Sequence, residues 1–63
     1  MPLNLGANIK DPDDFYQMLI DNQRDATEDE VQLMNAKLIL ILANHIGDKD
    51  VLERAMTIAA DRH

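Results

Sequence analysis

Five branched aliphatics in a row, Leu38 to Leu42, followed by Ala43-Asn44-His45-Ile46-Gly47-Asp48, constrain this 63-residue chain more than any other feature. Such a run can be a buried strand, a membrane segment, a core helix or a surface for another protein. A spanning helix needs about 20 apolar residues, and this run begins after Lys37 and ends at Ala43. A strand needs a partner strand, and no second segment has β-branched alternation. Short apolar runs are ambiguous by periodicity alone, so the flanks decide.

The flanks specify a helix. Thr27 with Glu30 three positions later fits the capping box, in which each side chain satisfies the other residue's backbone N–H. Gly47, the only glycine of the C-terminal half, can adopt the left-handed conformation that closes a helix. A helix over residues 28–46 is therefore predicted, and Asp48 can cap the next one, over 49–61. In that last helix Val51, Leu52, Ala55, Met56, Ile58 and Ala59 form the apolar side. Upstream, Asp11-Pro12-Asp13-Asp14 reads as another start, with Asp11 as N-cap acceptor, Pro12 at the first helical position and acids at the positive dipole end. The first helix, about 12–23, is amphipathic, with Phe15, Met18 and Leu19 widened by Tyr16 and Ile20. Residues 1–10 have no period and read as an extended or frayed arm. The expected fold is all-α: a small three-helix domain over 11–63 with the second helix central, and dimeric.

At 100° per residue the central helix carries two apolar stripes. Val31, Met34, Leu38, Leu42 and His45 form one, and Leu33, Ala36, Leu40 and Ala43 the other. A helix apolar around most of its circumference is buried around most of it. Either the first and third helices flank it within one chain, or the Leu33 stripe meets a second copy. A domain this small buries only about 60% of the surface of its unfolded chain. It has no cysteine for disulfides and only two histidines for a metal staple, so self-association is the remaining common remedy. A homodimer through Leu33, Ala36, Leu40 and Ala43 is expected, with another protein as the further partner.

Composition narrows function. Twelve acids against six bases give a formal charge of −6, which repels phosphate backbones and anionic headgroups. The second and third helices have the order of a helix-turn-helix, but Lys49, Arg54 and Arg62 face Asp50, Glu53 and Asp61 in number, and the basic face is missing. Neither nucleic acid nor membrane is expected as a partner. The N-terminus lacks a cationic start followed by a long apolar run, so the cytoplasm is the expected setting. The chain has no serine and no cysteine, which removes acyl-transfer triads, and a lone histidine among scattered acids does not signal acid–base catalysis. No enzymatic activity, metal or cofactor is expected.

Asn35, Asn44 and His45 are the candidate polar site or buried network. The histidine shares a side with Leu38 and Leu42, where an imidazole is commonly part-buried and bonded to a carbonyl or carboxylate. A metal site from His45, His63 and carboxylates has no recognisable ligand spacing. The expected role is a non-enzymatic helical interaction or accessory module. The alternative is a small-ligand or metal-binding protein using the Asn44–His45 end of the second helix.

The stretches DPDDFYQMLID and LMNAKLILILANHIGDKDVLERA resemble a family of short bacterial proteins described as a domain of unknown function. The resemblance covers about residues 11–56. It rests on an Asp-Pro-Asp start, a Phe-Tyr pair, an Asn-Ala followed by aliphatics, and an Ala-Asn-His-Ile-Gly-Asp ending. It implies recurrence of Asp11, Pro12, Phe15, Tyr16, Asn35, Ala36, Ala43, Asn44, His45, Gly47 and Asp48, and an all-helical fold. It implies no activity.

Overall fold

The computed structural model describes residues 2–61 as three helices in sequence: α1 (Pro12–Asn22), α2 (Glu28–Ile46) and α3 (Lys49–Ala59). Among the described residues there is no strand. The first and last helices are slightly shorter than the spacing predicts, because Gln23 and Ala60 are the capping residues that end them.

The junctions around α2 follow from their sequence. Thr27 Oγ1 accepts from the Glu30 N–H at 3.2 Å, and Glu30 Oε1 accepts from the Thr27 N–H at 2.9 Å. At the other end Gly47 has φ 70° and donates its N–H to the Ala43 carbonyl at 2.9 Å. That conformation is costly for a residue with a Cβ. Asp48 Oδ1 then accepts from the N–H groups of Asp50 and Val51, at 3.0 and 3.2 Å. Two residues thus end one helix and begin the next.

The start of α1 differs from expectation. Asp11 sits at φ 50°, ψ 60°, and its side chain makes no capping bond. An N-cap carboxylate normally reaches the first turn from an extended backbone. From the left-handed region Asp11 contributes only its carbonyl, which accepts from the Phe15 N–H at 3.1 Å.

Packing between the helices is thin: no two of them lie against each other along their lengths. Val51, at 6% exposure, is the one buried hydrophobic residue among those described. Leu19 of α1, Val31, Met34 and Leu38 of α2, and Leu52 and Ala55 of α3 are half-buried. Leu42 and His45 complete the Val31 stripe but are exposed, so α1 and α3 cover that stripe only in part. The arm is less detached than its sequence suggests. Leu3 is half-buried, and with Leu5 it lines a hollow beside Val51 and Arg54.

The dimensions agree with this open arrangement. The radius of gyration is 13.4 Å, against about 11 Å for a compact domain of this length. The chain exposes 6020 Å², about half as much again as the roughly 4100 Å² of a folded monomer of its mass. It hides about 40% of its unfolded surface, where a domain of this size ordinarily hides about 60%.

Candidate interaction surface

The most constrained element, α2, presents the surface. It is closed by the capping box at one end and by the Gly47–Asp48 turn at the other. Away from the half-buried Val31, Met34, Leu38 and Ala43, its apolar side chains remain in water. Leu33 is 56% exposed, Leu40 70% and Ile41 65%, and Ile39, Leu42 and Ile46 are exposed as well. Ala36 is also exposed, and Ala43 is half-buried. The four residues of the Leu33 stripe therefore lie on one side of one helix, open over Leu33, Ala36 and Leu40 and sheltered at Ala43.

Two hollows flank this helix. One, about 280 Å³, lies between α1 and α2, with Leu19, Met34, Leu38 and Ile41 as its apolar wall and Lys37 on its rim. The other, about 670 Å³, lies where α2 meets α3. Ala43, Gly47, Leu52 and Met56 are its apolar lining, and Asn44, Lys49 and Glu53 its polar lining. Sequence reasoning missed both, because a hollow between helices depends on their separation, which residue spacing does not encode.

The polar candidates do not gather. Asn35 accepts from the Gln23 side-chain amide at 2.6 Å, a bond that ties the end of α1 to the middle of α2. Asn44 stands by the larger hollow. His45 was expected to be part-buried and bonded; it is exposed in the last turn of α2, because neither α1 nor α3 closes over that side. All three residues are exposed in the single chain. Among the described residues no group of three His, Cys, Asp or Glu side chains is placed to hold a metal ion. His63, the other histidine of the conceivable ligand set, lies outside the described residues.

The carboxylates whose titration is shifted belong to the caps. The Thr27 backbone N–H holds Glu30 below the usual glutamate range, helped by the Thr27 hydroxyl. The Val51 N–H does the same for Asp48. These are ordinary consequences of donating hydrogen bonds to an ionised carboxyl. No described helix is long and apolar enough to cross a membrane.

Fold and surface together define a small all-helical chain whose central helix is capped at both ends and open along its sides. The chain belongs to the family described as "Protein of unknown function (DUF2783)", whose model matches residues 3–61. The match takes in the arm from residue 3 and the end of α3 to residue 61, beyond the 11–56 stretch that carries the distinctive motifs. No curated protein and no solved structure matches the chain.

Proposed function

We propose that this chain is a non-enzymatic association module, cytoplasmic in setting, that works through the open side of α2 and forms a homodimer through Leu33, Ala36, Leu40 and Ala43. The observation that carries the reading is the apolar surface left in water along α2, with Leu40 at 70% exposure in the middle of it. Soluble monomers seldom expose a contiguous patch of this kind. The surplus surface is of the right size. About 1900 Å² per chain, or about 3800 Å² for a pair, falls within the roughly 2000–5000 Å² buried by obligate homodimers. The charge of −6 keeps such a module soluble and favours a basic surface on any further protein partner.

Sedimentation at high concentration tests this. A species of twice the 7.1 kDa chain mass is expected, and a monomer that remains fully helical would sink it. Ligand or metal binding at the Asn44–His45 end is the second reading, favoured by the hollow beside Asn44. Native mass with and without added divalent metals separates the two.

A further inference from the structure

We infer that two copies pair through α2 in antiparallel fashion about a two-fold axis near Leu38, with Leu33 of each copy seated in the partner's hollow between α2 and α3. This rests on the homodimer proposed above and adds its orientation and register. Along the open side of α2, Asp29, Leu33, Ala36, Leu40, Ala43 and Gly47 recur at intervals of four and three, the spacing of a seam between packed helices. Residues equidistant from Leu38 stand opposite each other in an antiparallel pair. Leu33 then meets the partner's Ala43, and Ala36 meets the partner's Leu40. Every large side chain faces a small one, so the seam interdigitates without voids. A parallel pair would set Leu against Leu and Ala against Ala, alternating crowded and empty layers.

The hollow supplies an independent reason. It is lined by Ala43 and Gly47 together with the apolar Leu52 and Met56, which is where the partner's Leu33 arrives. Charge gives a third. The first turn of α2 holds Glu28, Asp29 and Glu30, and a parallel pair would bring these acids together with their copies. The antiparallel pair places Asp29 opposite the partner's Gly47, next to Lys49, the one cation among the described residues that line that hollow, where Glu53 is the one acid. Across a C2 axis each of these contacts occurs twice.

The chain contains no cysteine, so single cysteines report orientation cleanly. Leu33→Cys and Ala43→Cys proteins are unfolded together, refolded as a mixture and oxidised or treated with a short bismaleimide. In the antiparallel pair Leu33 and the partner's Leu33 are about 15 Å apart along the axis, beyond disulfide reach. The mixture is expected to yield covalent dimer, and each variant alone at least tenfold less. Efficient self-linking of Leu33→Cys would overturn the antiparallel register while leaving the homodimer standing; a native protein that sediments as a monomer would overturn both. Should the cysteine variants fold poorly, charge exchange gives the same information. Asp29→Lys and Lys49→Asp are each expected to weaken the dimer several-fold, and the double exchange to restore it. An additive loss in the double variant would overturn the pairing.

Discussion

At its two ends α2 finds its hydrogen-bond partners within the chain, whereas along its middle Leu33, Ile39, Leu40 and Ile41 stand in water. The ends are satisfied by neighbours in sequence: Thr27 with Glu30, Gly47 with Ala43, Asp48 with Val51. The middle can be satisfied only by atoms from far along the chain or from another molecule, and three short helices do not supply enough of them. Direction and length in this protein are local properties, while burial is a collective one. A helix can thus be fully specified before anything covers it.

The largest effect that can break this comparison is aimed at the middle. Replacing Ala36 and Ala43 together by glutamate puts carboxylates into the proposed seam, where burying them unpaired costs on the order of several kcal/mol. The expected product is a monomer of reduced helicity, seen by sedimentation and circular dichroism. Unchanged mass would mean that the side of α2 is indifferent to association. Next comes the C-terminal end. Gly47→Ala meets no close atom, its Cβ lying 3.7 Å from the Asn44 carbonyl oxygen, so the cost is the left-handed backbone alone, about 1–2 kcal/mol. Gly47→Asn should recover part of it, because asparagine tolerates that region.

At the N-terminal end Thr27→Ala removes the hydroxyl acceptor and is expected to cost about 1 kcal/mol, read from the denaturant midpoint. A midpoint that does not move would remove the capping box from the account of stability. Acid probes the same end more gently. Glu30 and Asp48 titrate lower in the folded chain than in the unfolded one. Their stabilisation is therefore present above the ordinary carboxylate values and is lost as pH falls through the folded ones. For Glu30 the decline starts near the ordinary value of 4.5 and continues below it. Glu30→Gln should flatten that part of the pH profile. His45→Leu is expected to change stability least, within about 0.5 kcal/mol, as an exposed substitution does. A drop of many degrees in the melting midpoint would instead tie the imidazole into a network formed on pairing.

How far the sequence carries depends on the range of each interaction. The capping box, the Gly47 stop and the Asp48 cap are contacts over two to four residues, so residue type and spacing express them in full. The bounds of α2 coincide with those predicted. Asp11 shows the boundary of such reasoning: residue type was right for a cap, but a left-handed backbone turned the carboxylate away. His45 and the Val31 stripe show a second boundary. Periodicity says which side chains share a face, but not whether α1 and α3 come close enough to cover it. The hollow beside Ala43 was invisible for the same reason, and so was the hollow that Leu3 lines together with Val51.

The 6020 Å² that a single copy exposes has a consequence for how the protein persists in a cell. Ribosomes deliver chains one at a time, and on the proposed pairing each new copy would carry its aliphatic side chains in water until it met another. On the proposed pairing the folded fraction rises with the amount of protein already made, because mass action links stability to protomer concentration. Scarce copies would then stay open to proteases while abundant ones sheltered each other, and gene dosage and turnover would be coupled through the side of one helix.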